Sequence, residues 1–250
     1  MSWAGWEESD PVWRRVTAVG VRSLMIEGSA AADNDRRWLA ATLGVGQQCP
    51  VFDNPTLEGL RRRFSSLGVY AAGLLYEGVI ASIIGQSISV SAAAIVEQRF
   101  AALFNPPIDI ANRPHWPLPR ADQLAIAEPA IVRQSGVTRR RAEALIKTGQ
   151  AFTTGEIPTM TSDPDAIDKV RRSLLAIPAI GPWTAESAFL WGVGWSDAYP
   201  LNDVALLRAA RQAYRQPTMT MGDLNRQSEH CRPNRCWASR LLWTALLGAA

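Results

Sequence analysis

A five-residue break between two helix-forming stretches limits what this chain can fold into more than any other feature. Residues 173–208 read SLLAIPAIGPWTAESAFLWGVGWSDAYPLNDVALLR, and the break is Pro178-Ala179-Ile180-Gly181-Pro182. Pro178 halts the incoming helix, because its ring removes an N–H and crowds the preceding turn. Gly181 supplies a backbone conformation that side chains disfavour, and Pro182 suits the first position of the next helix. Trp183, Thr184 and Ala185 begin that helix, whose unpaired N–H groups point outward with partial positive charge. A phosphate can bind such an end without any basic side chain. Beyond the second helix, Pro200-Leu201-Asn202-Asp203 places an acidic residue at the opening of a third.

At 250 residues the chain holds one large domain or two small ones, and 47% hydrophobic residues suffice for a substantial core. No apolar run is long enough to span a bilayer, and no basic-then-apolar leader is present. The three cysteines, Cys49, Cys231 and Cys236, make no disulfide framework and point to a reducing interior. These features predict a soluble, cytoplasmic protein with no membrane partner, nucleoid-associated in a prokaryote. The net charge of +3 says little alone, but the basic residues are nearly all arginine and cluster at Arg139-Arg140-Arg141 and Arg171-Arg172. A solvated helix face is the ordinary explanation for any single arginine. Clusters close to a phosphate-binding hairpin point instead to a surface that faces nucleic acid.

Residues 1–32 read as a short β or irregular segment. Two short strands are expected over 13–19 and 21–26, with a glycine between them; Trp3 and Trp6 suit either packing or a loose tail. Helices are expected over 35–43, 56–64, 74–84 and 89–104, with Asn54-Pro55 starting the second. Five prolines make 106–119 an irregular connector. Residues 122–134, 139–152 and 164–177 read as further helices, the last capped by Asp163 with Asp165 in its first turn. After the hairpin helix come the Asp203 helix through about Tyr214, a polar loop with His230 and Cys231, and an apolar helix from Cys236 to Leu247. The fold class is mainly α with a short N-terminal β-containing segment.

The hairpin, followed at that spacing by Asp203, resembles the helix-hairpin-helix DNA glycosylases. Its IGPWTA form is most similar to the 3-methyladenine DNA glycosylase II (AlkA-type) branch. The resemblance covers roughly 55–248. Ile83 to Ala94, IIGQSISVSAAA, is similar to the family's ILGQxxSVxxA stretch, and GVTRRRAEALIKTG, from Gly136, to its G-xxxx-RAxxL stretch. Pro233-Asn234-Arg235-Cys236-Trp237-Ala238, continuing to Trp243, is similar to its PWRSYA…W ending.

The resemblance implies a helical body over 33–250 that forms two lobes with the active-site cleft between them, the helix-hairpin-helix occupying about 164–193. It implies that Asp203 is the catalytic carboxylate, although an N-cap role fits this residue too. It also implies that Trp243 stacks on an extruded base; a core place on an apolar terminal helix is the other reading of that tryptophan. Trp183, expected in the base pocket, stands where bifunctional members hold a Schiff-base lysine, and an indole cannot do that chemistry. Ser187 stands where the branch often has a second aromatic, which implies a roomier base pocket. By the same likeness, Gly181, Ala179 and Thr184 meet DNA phosphate. Ala179 departs from the family's glycine, and alanine there requires a negative φ. Gln86, Ser87 and Ile88 are the candidates for the wedge that enters the duplex, with Ser87 where the branch often has a large apolar residue. A helix joint with Gln86 capping backbone groups is the alternative. Arg141 is expected to order a loop or helix end at the DNA-binding face.

The implied activity is a monofunctional glycosylase that hydrolyses the N-glycosidic bond of alkylated bases in damaged double-stranded DNA, leaving an abasic site. The implied state is a monomer with no metal and no cofactor. Cys231 and Cys236 lack the two further thiols of an iron–sulfur site, and His230 with them is too few ligands for zinc. Hairpins of the family hold a monovalent cation through backbone carbonyls when DNA is bound, which stays open here. Two other readings also stay open. One is a glycosylase for oxidised, deaminated or mismatched bases, which Ser87 and Ser187 keep in play. The other is a non-catalytic helix-hairpin-helix DNA-binding protein, against which Asp203 and Trp243 argue.

Overall fold

The computed structural model describes residues 2–7, 10–20, 23–28, 42–44, 47–158 and 164–248. The helix expected over 35–43 lies outside these residues except for Thr42 and Leu43, which are helical, and the Asp163 cap lies outside them altogether. The chain is mainly helical and divides into two compact units. One comprises Met1–Trp38, Ile83–Pro158 and Ala176–Ala179, the other Leu39–Ser82, Thr159–Leu175 and Ile180–Ala250.

The first unit carries an antiparallel sheet in the order β1 (Ser2–Glu7), β2 (Asp10–Gly20), β3 (Ser23–Gly28). The sequence pattern misses β1. SWAGWE contains alanine and glycine, which are poor strand formers, and it becomes a strand by pairing along β2, Trp3 opposite Arg14 and Trp6 opposite Pro11. The helices of this unit begin with α1 (Val90–Ala102), started by Ser89, whose hydroxyl accepts the Ala92 N–H at 3.2 Å. The proline-rich connector is less irregular than expected, because Ile108–Asp109 (β4) pairs antiparallel with Pro114–His115 (β5). The single helix expected over 122–134 is broken into α2 (Ala121–Ala125), α3 (Pro129–Val132) and a 3-10 turn, Arg133–Ser135. Pro129 has no N–H to continue the first piece and so starts the second. α4 (Arg139–Thr153) packs against α2 at Gly149, where a Cβ would meet the Ala125 nitrogen at 2.8 Å. Phe100, Leu124, Val132 and Leu145 are buried in this unit.

In the second unit, Asn54 caps α5 (Pro55–Arg63) through bonds from the Thr56 and Leu57 N–H groups at 3.0 and 3.1 Å. α6 (Leu75–Ile84) brings Gly78 against the backbone of Ala188 and Gly192, closer than any side chain permits. α7 (Pro164–Ala176) leads into the hairpin, and α8 (Pro182–Ala188) leaves it, widening into a π-turn over Phe189–Val193. α9 (Val204–Ala213) follows. The polar stretch before the last helix contains α10 (Met221–Glu229), an unexpected helix started by a Thr220–Asp223 capping box. α11 (Arg235–Leu247) ends the described chain. Its first residue, Arg235, is 7% exposed and forks onto both Asp197 oxygens at 2.9 and 3.0 Å, with Glu229 at 3.0 Å. Removing one partner of so desolvated a pair costs about 3–5 kcal/mol, so this fork fixes where α11 begins.

The hairpin differs from expectation in which residue takes the left-handed turn. Gly181 has φ −100° and ψ 178°, an extended conformation open to any residue, and it caps α8. Ala179 takes the positive φ, 76°, contrary to the negative value expected of an alanine. A left-handed conformation costs an L-residue about 1–2 kcal/mol, and the surrounding bonds sustain it here. Ala179→Gly should therefore stabilise the fold by about 1 kcal/mol, the relief exceeding the added flexibility of the unfolded chain. Chemical denaturation measures this, and a loss of stability would show that the turn is unstrained.

Candidate active site

Within the first unit, the hairpin is held by side chains from two other segments. Gln86 Nε2 donates to the Ala179 carbonyl at 2.9 Å. Arg141 Nε donates to Gln86 Oε1 at 3.2 Å, and Arg141 Nη2 donates to the Gln86 carbonyl. Gln86 thus uses its amide to fix the strained turn, and Arg141 orients that amide. The next residue, Ser87, is exposed with φ 56°, and Ile88 is 38% exposed ahead of the Ser89 cap. The three wedge candidates are therefore unlike one another: Gln86 is tied down, Ser87 is short and turned, and Ile88 presents an apolar side chain.

Within the second unit, Asp203 is the N-cap of α9. Its Oδ1 accepts the Leu206 N–H at 2.6 Å, and its Oδ2 accepts the Trp183 indole N–H at 2.8 Å. One donor on each oxygen fixes the plane of a half-buried carboxylate. The two roles open in the sequence are thus compatible, because the cap occupies one oxygen and the side chain remains half-exposed. The loop that delivers Asp203 is itself anchored. Buried Glu186 on α8 accepts Arg171 Nε at 2.6 Å and the Tyr199 N–H at 3.1 Å. Tyr199 donates its hydroxyl to Asn225 at 3.2 Å, and Asn225 donates to Asn202, which turns at φ 62° directly before Asp203. Sequence reasoning missed Glu186. It also placed Arg171 on a surface facing nucleic acid, whereas Arg171 is committed to Glu186 and Asp168; Arg139, Arg140 and Arg172 are the exposed members of those clusters.

The other expected pocket residues divide. Trp243 is half-buried and stacks on Trp191, with centroids 5.5 Å apart and planes 22° from parallel. Trp191 in turn lies 5.6 Å from Tyr70, which is 50% exposed. Ser187 is buried, its hydroxyl without a partner among the described residues, and Thr184 is buried too. Arg240, missed from sequence, sits 2% exposed with its guanidinium carbon 4.2 Å from the Tyr70 ring and 4.6 Å from Trp191. Its Nη2 donates to the carbonyls of Tyr70 and Leu190. The available signal was its position three residues before Trp243, on the same helix face. Among the described residues no group of three or more His, Cys, Asp or Glu is placed to hold a metal ion, and no described helix is long and apolar enough to cross a membrane.

A family model described as HhH-GPD superfamily base excision DNA repair protein matches residues 80–233. The DNA-3-methyladenine glycosylase 2 of Escherichia coli (strain K12) is 31% identical over 169 residues, 67% of this chain and 56% of that protein. The DNA-3-methyladenine glycosylase of Bacillus subtilis (strain 168) is 24% identical over 168 residues, 66% of this chain and 55% of the relative. This chain therefore spans just over half the length of these relatives. Among solved structures, a 3-methyladenine DNA-glycosylase from Archaeoglobus fulgidus has the same fold, with a TM-score of 0.78 at 20% identity over 99% of this chain and 87% of that one. Taken with the hairpin and the Asp203 cap, the match over 80–233 makes this chain a member of the HhH-GPD superfamily of base excision DNA repair proteins.

Proposed function

We propose that the protein is a monofunctional DNA glycosylase that hydrolyses the N-glycosidic bond of alkylated bases in double-stranded DNA. The observation that carries this reading is the Asp203 carboxylate, held between the Trp183 indole and the Leu206 N–H at the start of α9. The names of the matched Escherichia coli and Bacillus subtilis relatives support alkylated bases as the class. Breaking the bond between C1′ and the base nitrogen sends the bonding electrons to the departing base and leaves positive charge on the sugar. A fixed carboxylate stabilises that charge as it develops, and water then adds to C1′ and gives up its proton. Asp203 serves both steps, first as the counter-charge and then as the acceptor that orients the water. A base already cationic by alkylation leaves without a general acid, and hydrolysis asks for no cofactor.

The remaining assignments rest on the same geometry. Trp183 holds the carboxylate where bifunctional relatives hold a lysine, so no amine attacks C1′ at this position. Ile88 is the wedge, because Gln86 is committed to Ala179 and Ser87 is too short to fill the space of an extruded nucleotide. The hairpin backbone around Ala179 and Gly181, at the end of α8 that carries Thr184, takes DNA phosphate; a Cβ at Gly181 would meet nothing within 4 Å. Trp243 supplies the stacking face for the base.

Duplexes each carrying one defined lesion, incubated with the protein and then cleaved by alkali, test this function. Release of a methylated purine by the wild type, with base release lost and DNA affinity retained in Asp203→Asn, is the expected outcome. Wild-type release rates in Asp203→Asn would remove the carboxylate from the chemistry. Borohydride present during the reaction should trap no protein–DNA adduct, and strand breaks should appear only after alkali. Efficient trapping would place an amine nucleophile elsewhere in the chain.

A further inference from the structure

Arg240 is a buried cation with no carboxylate paired to it among the described residues, and the chemistry assigned to Asp203 does not use it. Two of its nitrogens, Nε and Nη1, are buried without a hydrogen-bond partner among the described residues. Among the described residues its charge faces the rings of Tyr70 and Trp191, two backbone carbonyls and the neutral thiol of Cys236. Guanidinium cannot shed its proton to escape burial, so the charge is permanent. Trp191 contacts both this cation and Trp243. The two spacings laid end to end put the Arg240 charge no farther than about 10 Å from the Trp243 ring.

We propose that Arg240 sets the lesion class, disfavouring bases that carry a positive charge and favouring neutral adducts stacked on Trp243. This rests on the glycosylase reading and deepens it. The attraction of a cationic methylated purine for an aromatic stack comes from the electron-rich ring faces. Here one face of that stack already holds an internal cation, and the same charge repels a second one. A base stacked on Trp243 lies one ring spacing beyond it, where the repulsion through partly dry protein amounts to about five- to tenfold in relative binding. Burial removes the salt screening that would weaken the effect at a surface. Neutral lesions with an extended ring, such as ethenoadenine, keep their stacking and meet no such repulsion.

The test compares single-turnover excision of 7-methylguanine and of ethenoadenine from otherwise identical duplexes by the wild type, Arg240→Gln and Arg240→Lys. Arg240→Gln keeps a donor for the carbonyls and loses the charge; it should raise the ratio of cationic to neutral excision about five- to tenfold. Arg240→Lys keeps the charge and should leave the ratio within about twofold of wild type. An unmoved ratio in Arg240→Gln, or an equal shift in both variants, overturns the assignment, because packing rather than charge would then be at work. Should the variants fail to fold, quenching of wild-type tryptophan fluorescence by free bases gives the same answer. Ethenoadenine should bind more tightly than a dimethyladeninium cation, and the reverse order overturns the proposal. If the wild type releases neither lesion, the glycosylase reading falls and takes this one with it. An unmoved ratio with both lesions released removes Arg240 alone.

Discussion

The bond from the Trp183 indole to Asp203 ties the first turn of α8 to the opening of α9, and the arrangement of the second unit depends on it. An N-cap aspartate alone has one oxygen engaged and can rotate about its terminal torsion. With a second donor on the other oxygen, the carboxylate plane is set by two helices at once. Glu186 reinforces the same geometry from one turn further along α8, through Arg171 on α7 and the Tyr199 N–H on the loop before Asp203. A carboxylate placed in this way needs no rearrangement when charge develops beside it, and that is the condition under which electrostatic stabilisation lowers a barrier.

The hairpin shows how the first unit sustains strain. Ala179 would prefer another conformation, yet its carbonyl is claimed by Gln86 and that amide is claimed by Arg141. The residues that hold the turn also fix the segment leading to Ser87 and Ile88. A side chain that enters DNA must have a firm base, since the cost of opening the duplex is repaid only if the wedge does not yield. On the proposed assignment the firmness comes from hydrogen bonds, and the apolar contact falls to Ile88, the one candidate whose side chain is both exposed and apolar.

Much of this was legible in the sequence where local rules decide. Asn54-Pro55 starts a helix as its side-chain chemistry dictates, the helices expected from 89 and 139 begin within a residue of those positions, and Asp203 opens a helix after the hairpin as expected. The failures share a cause. β1 is made by its partner strand and not by its own composition, and the 122–134 helix is cut by Pro129, which an apolar pattern conceals. Gly181 reads as the special residue of the turn, but whether a backbone goes left-handed depends on bonds from Gln86, 93 residues away in sequence. Arg171 reads as a surface charge, and Glu186 and Arg240 draw no notice, because a linear pattern does not show that their partners lie on other segments. Burial of a charge is a tertiary fact.

If a pre-placed Asp203 recognises positive charge on the sugar, the most direct test is the affinity of the wild type and of Asp203→Asn for two abasic duplexes. One contains a pyrrolidine whose protonated nitrogen stands in for the cationic sugar, the other a neutral tetrahydrofuran. The wild type should bind the cationic duplex at least about 100-fold more tightly, and Asp203→Asn should bring the two affinities close together. Equal binding of both duplexes by the wild type, or a preference that survives in Asp203→Asn, would contradict this role for the carboxylate.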